Sequence, residues 1–197
     1  MDRKEIKHQW DEIAETYARR RDPDGSDADL IETLLDLLPA EPTVLDVGSG
    51  DGARTLANLP AGSIGLDISR RGLELAADTV PGASLVQGDM TQLPLSAETV
   101  DGITAYYAVF HVPRAEHPAV YSEFARVLKP GGWLLMTVPG SRFETIRTEW
   151  MGGSMLFSAP GRDTTLEQLR NAGFRNVSTE RAADPLGTST EFAFAQR

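Results

Sequence analysis

Apolar and polar positions change period along this chain, and the changes mark its elements. From Arg3 to Arg20 the residues Ile6, Trp10, Ile13, Ala14 and Tyr17 fall at helical spacing, which predicts an amphipathic helix. Asp22 to Asp27 reads as a Pro/Gly/Asp linker. Ser26 with Asp29 resembles a capping box opening a second helix from about Ala28 to Leu38. After Pro39 and Pro42, short β-branched runs alternate with helical stretches. The predicted strands are Val44–Val47, Ser63–Asp67, Ser84–Gln87, Gly102–Ala105 and Trp133–Val138. Helices are predicted at Arg70–Thr79, Pro118–Leu128 and Leu166–Ala172, the last closed by Gly173. Phe174–Thr179 and Glu191–Ala195 read as two final strands. Such alternation predicts a doubly wound α/β fold, a parallel sheet with helices on both faces. The closing pair would add an antiparallel edge.

Length and composition narrow the setting. A chain of 197 residues, 41% hydrophobic, fits one domain with its own core. Within it, 1–38 reads as N-terminal lid helices, 43–138 as a binding core, 141–162 as a cap, and 164–197 as a helix with the strand pair. No apolar run approaches the roughly 20 residues of a membrane span. The charged start Met1-Asp2-Arg3-Lys4-Glu5 lacks a leader's apolar stretch, so a cytoplasmic protein is expected. There is no cysteine, which excludes disulfides, thiolate metal sites and cysteine nucleophiles. The net charge of −10 argues against a nucleic-acid partner, because the one basic cluster, Arg19-Arg20-Arg21, is followed at once by Asp22, Asp24, Asp27 and Asp29. That acidic run hints at calcium, but Gly25 is misplaced for an EF-hand loop and a solvated linker is expected. The surplus of acid also fits a soluble, self-repelling surface or a high-salt habitat.

The chemistry concentrates at strand ends. Val44-Leu45-Asp46-Val47 runs into Gly48-Ser49-Gly50-Asp51-Gly52, a strand entering a tight turn whose backbone a ligand can touch. Asp46, Asp67 and Asp89 close three successive strands. Parallel strands joined by single helices set their ends side by side, so three carboxylates should line one crevice beside the glycine turn. The run Gly48 to Ala53 formally satisfies the dinucleotide fingerprint, with Asp67 at the ribose position. A pyrophosphate there would be repelled by Asp46 and Asp51, whereas a sulfonium with an ammonium would be attracted. S-adenosylmethionine has both cations.

Several of these segments together carry a family resemblance. Val44 to Gly52, Gly65-Leu66-Asp67-Ile68-Ser69, Gln87-Gly88-Asp89-Met90 followed by Leu93-Pro94-Leu95, Val100-Asp101-Gly102-Ile103-Thr104 and Val127-Leu128-Lys129-Pro130-Gly131-Gly132 resemble successive motifs of the class I S-adenosylmethionine-dependent methyltransferases, small-molecule type. The resemblance runs from about Trp10 to Phe194. It implies a Rossmann-like seven-stranded sheet whose last strand is antiparallel, S-adenosylmethionine as cofactor and S-adenosylhomocysteine as product. It places Gly48, Ser49 and Gly50 against the cofactor's methionine part, with Asp46 toward its ammonium. Asp67 would accept from the ribose hydroxyls and Ile68 pack on the adenine. Asp89 and the Met90 N–H would meet the adenine edge, and Ala105 would stand at the end of the fourth strand.

The acceptor side is less defined. Tyr106-Tyr107-Ala108-Val109-Phe110-His111 resembles the family's fourth motif, but many relatives have a small or amide residue where Tyr106 stands and a second histidine where Phe110 stands. His111 is a candidate general base, or a residue packed under the following loop. Tyr106 either contacts the acceptor or walls the cofactor. Trp10 to Tyr17 resembles the lid of relatives, with Tyr17 closing over the methionyl end, or else it is a core-facing stripe. Ser141 to Arg162, with its aromatics and methionines among glycines, reads as an adaptable cap on an apolar acceptor, or as a helix and loop on the sheet edge. His117 is read as surface or cap, and His8 has no evident partner. The three histidines are scattered, so no metal is expected. The expected activity is methyl transfer to a small molecule. A protein or nucleic-acid methyltransferase and a non-catalytic cofactor-binding module stay open, and an NAD-dependent oxidoreductase is a distant fourth.

Overall fold

The structure, a computed structural model, describes residues 1–21, 25, 28–183 and 189–197. The expected linker of 22–27, its acidic run and the Ser26 capping residue lie largely outside these. In chain order the elements are α1 (Arg3–Arg20), α2 (Asp29–Asp36), β1 (Val44–Val47), β2 (Ile64–Asp67), α3 (Arg70–Thr79), β3 (Ser84–Gln87), β4 (Val100–Ala105), α4 (His117–Val127), β5 (Leu128–Val138), β6 (Arg142–Trp150), β7 (Gly153–Pro160), α5 (Arg162–Asn171), β8 (Arg175–Ala183) and β9 (Ser189–Gln196). Local chemistry sets several boundaries. Asp2 caps α1 by accepting the Glu5 N–H, and the Glu5 side chain returns the bond to the Asp2 N–H, a reciprocal capping box. The Ser69 hydroxyl caps α3 through the Gly72 N–H.

The main sheet has seven strands in the order β3-β2-β1-β4-β5-β9-β8. β1 pairs in parallel with β2 and β4, β2 with β3, and β4 with β5. β9 runs antiparallel between β5 and β8. This is the Rossmann-like fold expected, antiparallel edge included: of the closing pair, β9 lies beside β5 and β8 takes the rim. Burial explains the placement. Phe192, Ala193, Phe194 and Ala195 of β9 are all buried, while β8 is mostly exposed and carries Arg175, Asn176, Glu180 and Arg181, as suits a rim.

Side chains alternate across this sheet with the strand period of two. Leu134, Met136 and Val138 join Ala193 and Ala195 in the cluster under α4 and α5. Leu135 joins Phe192 and Phe194 in the cluster under α2, with Leu30, Ile31, Leu34 and Tyr106. The segment 141–162 departs from both expectations, glycine-jointed loop and helix. Its β6 and β7 form a separate antiparallel hairpin. β6 is exposed over most of its length and carries Arg142, Glu144, Arg147 and Glu149, whereas β7 is buried from Met155 to Ala159. Among the described residues, no helix is long and apolar enough to cross a membrane.

Phe192 is fully buried at the centre of the α2-side cluster. Phe192→Ala should therefore lower the unfolding free energy by about 3–5 kcal/mol in urea titration. A loss below about 1 kcal/mol would mean that β9 does not sit inside the sheet.

Candidate active site

The carboxyl ends of β1, β2, β3 and β4 open onto one cleft of about 660 Å³, its mouth included. Gly48 and Gly50 line it with φ of +75° and +55°. A Cβ on Gly48 would stand 2.5 Å from the Ala108 Cβ, so the turns after β1 and β4 touch backbone to side chain only because position 48 has none. Asp67 closes β2 and faces the cleft. Its Oδ2 accepts the Gly50 N–H at 2.8 Å and its Oδ1 the Ser69 N–H at 2.7 Å. Burial pushes its pKa upward against those two bonds. A carboxylate has about four acceptor positions, and with the Ile68 N–H also bonding to this one, at least one position remains. Ile68 and Met90 add apolar surface to the same wall.

The other predicted positions divide. Asp89 is on the wall, but Thr91 donates to its Oδ1 through its N–H (2.8 Å) and hydroxyl (2.7 Å), and Arg3 Nε lies 3.2 Å from Oδ2. Asp46 is 1% exposed and set behind the cleft wall; its Oδ1 accepts the Thr104 hydroxyl at 2.8 Å and its Oδ2 accepts the Thr55 hydroxyl. Its work is to tie the end of β1 to β4 and to the turn that follows the glycines. Ser49 and Ala105 are likewise buried behind the wall rather than on it; the Ser49 hydroxyl points toward Gly65, and Ala105 is paired with Met136 inside the sheet. Tyr17 lines the cleft from above with Trp10. Both readings of α1 hold, at different positions: Ile13 and Ala14 are buried in packing, while Trp10 and Tyr17 are half-buried over the cleft.

Two cations on the wall escaped the sequence reading. Arg3 and Arg21 flank α1, and both line the cleft. Arg3 is held by Asp89 and by Glu116 at 2.6 Å, and Arg21 lies 4.0 Å from Asp51 and over the Tyr17 ring. The signal was the stripe itself. Arg3, Trp10, Tyr17 and Arg21 continue one helical face, read only for its apolar members.

Residues 45–136 match the family pattern of a methyltransferase domain. Over this span the chain resembles the class I S-adenosylmethionine-dependent methyltransferases. It is 32% identical, over 78% of its length, to a phthiotriol/phenolphthiotriol dimycocerosates methyltransferase of Mycobacterium ulcerans. It is 34% identical, over 75% of its length, to the biotin biosynthesis bifunctional protein BioHC of Cellvibrio japonicus. The chain spans 58% and 30% of these two relatives. Among solved structures it resembles the S-adenosylmethionine-bound amino pentose methyltransferase CalS10 of Micromonospora echinaspora, at 21% identity and a TM-score of 0.71, covering 93% of this chain and 95% of that one.

The far wall of the cleft follows β4. His111 is buried, and its Nδ1–H donates to the Leu156 carbonyl of the hairpin at 2.9 Å. That bond selects the tautomer and leaves Nε2 as an acceptor. Trp10, Phe110 and Phe157 enclose the ring at centroid distances of 5.0, 4.6 and 4.8 Å. Burial, with the Arg147 charge acting the same way, pulls its pKa down to about 4 against the Leu156 bond. Tyr106 also lines the cleft, but its ring is braced 4.7 Å from Phe192, between cleft and core. His117 is not a surface residue: it is 2% exposed, and its Nε2–H donates to the Val112 carbonyl at 3.0 Å. His8 is exposed and sits 3.3 Å from Glu12.

His111 and Asp46 pull stability in opposite directions with pH. His111 titrates near 4 folded and about 6.5 unfolded. The unfolded chain thus binds the extra proton between those values, and stability falls as pH drops through the window. Asp46 is raised to about 6 by burial, opposed by its two threonine bonds, so its contribution is lost as pH rises through 6. His111→Gln should flatten the fall of Tm between pH 6.5 and 4, and Asp46→Asn should steepen it. Parallel Tm–pH curves for wild type and both variants would refute the two assignments.

Proposed function

We propose that this cleft binds S-adenosylmethionine and directs its methyl group to a small, partly apolar acceptor. The observation that carries the reading is Asp67: a buried carboxylate, fixed by two backbone N–H groups, presented to a cleft beside a glycine turn. Its remaining acceptor capacity suits a vicinal diol such as ribose. Ile68 and Met90 offer apolar surface to a flat base, and the Asp89 oxygen beside Arg3 keeps capacity for an exocyclic amine. Arg21 is placed to pair with the carboxylate of an amino-acid tail.

When bound, the cofactor supplies a methyl group already activated by a sulfonium, which passes in-line to a nucleophile and leaves S-adenosylhomocysteine. The protein's share is then to position, desolvate and hold hydrogen bonds, effects worth up to about 7–11 kcal/mol when orientation is ideal. His111 Nε2 accepts a hydrogen bond from an acceptor O–H or N–H and orients its lone pair. With a pKa near 4 it stays neutral at neutral pH and is a weak proton sink. It therefore serves as an aligning acceptor rather than as a strong general base. Tyr106, packed on Phe192, shapes the wall.

A small acceptor is favoured over a macromolecular one because α1 and the hairpin roof the cleft and touch each other, with Trp10 and Trp150 at a ring separation of 5.8 Å. The acidic net charge of −10 points the same way, away from nucleic acid.

Calorimetric titration with S-adenosylhomocysteine, with NAD as control, should show micromolar binding of the first and none of the second. Asp67→Ala should weaken that binding by roughly 100-fold or more, because two charge-assisted hydrogen bonds of about 1.5–3 kcal/mol each are lost. An affinity unchanged in the variant would remove Asp67 from the ribose role.

A further inference from the structure

The tip of the β6–β7 hairpin is wound in a way that its own sequence disfavours. Glu149 and Met151 adopt φ of +60° and +55°, and Gly152 follows at +94°. Left-handed backbone is costly for residues with side chains, and it persists where surrounding contacts over-determine it. Those contacts centre on Trp150, between the two strained residues. Its ring lies 5.2 Å from Phe157, 5.8 Å from Trp10, 5.8 Å from Tyr17 and 6.0 Å from His111. The tip is also docked on α1. Ser154 N–H donates to Gln9 Oε1 at 2.7 Å, and a Cβ on Gly153 would stand 2.8 Å from Ile13 Cγ2. Trp10, Tyr17 and His111 line the cleft, whereas Trp150 stands behind them. Its indole thus meets the two cleft residues of α1 and the one imidazole of the opposite wall.

We propose that Trp150 is a positioning residue: held by the strained tip, its indole wedges Trp10 and Tyr17 against His111 and so fixes the roof over the place where donor and acceptor meet. The proposal deepens the cofactor reading given above and rests on it only for its effect on the bound ligand. Without the indole, His111 would open to water and Tyr17 would lose the ring that backs it.

The test uses the full chain and two readouts. His111 is titrated by ¹⁵N NMR without ligand, with Arg147 as the charged group facing it. Release of S-adenosylhomocysteine is followed by stopped flow. In Trp150→Ala the His111 pKa should rise from about 4 by one unit or more, and release should quicken at least tenfold. Trp150→Phe should restore both to within threefold or a few tenths of a unit. Met151→Gly, which keeps the indole but relaxes the tip, should quicken release without lowering Tm, and it carries the test if the alanine variant fails to fold. A generic packing role would lower Tm while leaving the His111 titration and the release rate where they were, and that result overturns the proposal. If wild type binds no S-adenosylhomocysteine yet the His111 shift appears, the cofactor reading fails and the wedge stands.

Discussion

The carboxylate of Asp67 holds the site together. By accepting the Gly50 and Ser69 N–H groups it joins the turn after β1 to the turn after β2. Neither turn has regular secondary structure to satisfy those donors, and an unpaired buried N–H costs about 1–3 kcal/mol. The acid is thus a strut between the two turns, and it also lines the cleft. The empty side of Gly48 does the matching task toward β4, where Ala108 comes within 2.5 Å of the position a Cβ would take. These two contacts draw three strand ends together, and the cleft is the space left between them.

Above that floor the roof is assembled from distant parts of the chain. α1 is pinned to the start of α3, where Asp11 accepts the Ser69 hydroxyl at 2.8 Å and the Arg71 N–H at 3.2 Å. The negative side chain at that helix N-terminus is also favourable to its dipole. Ser69 therefore links the roof, through Asp11, to the floor, through its N–H on Asp67. The hairpin meets α1 from the other side, through Gln9 and the Trp10–Trp150 contact. Floor and roof form one connected set of hydrogen bonds and ring contacts.

Burial then sorts the ionisable groups into roles. Asp46, in the family's first motif, is turned inward and bonded by two hydroxyls, so it braces the sheet. Asp67, 8% exposed, keeps its outer face on the cleft. His111 is held neutral by its desolvated aromatic surroundings. Residues of similar type at neighbouring strand ends differ in function because each meets a different amount of water and a different set of donors.

What the sequence determined by itself was local and periodic. The helices α1 and α3, the strands β1 and β3, the glycine turn and the alignment of Asp67, Ile68, Asp89 and Met90 on one cleft follow from repeat length, capping residues and motif spacing. Those signals act within one βα unit, where the parallel-strand rule converts spacing into adjacency. Tertiary structure decided the rest. The hairpin at 142–160 was obscured because a two-stranded ribbon is stabilised chiefly by what it packs against, here α1 and the segment after β4. The insertion of β9 beside β5 depended on which of two short strands had the more buried pair of faces. The inward turn of Asp46 depended on Thr104, 58 residues away, and Arg3 and Arg21 reached the cleft only once α1 was laid across it. None of these contacts has a period to read, because each joins residues that the chain brings together only when the sheet is complete.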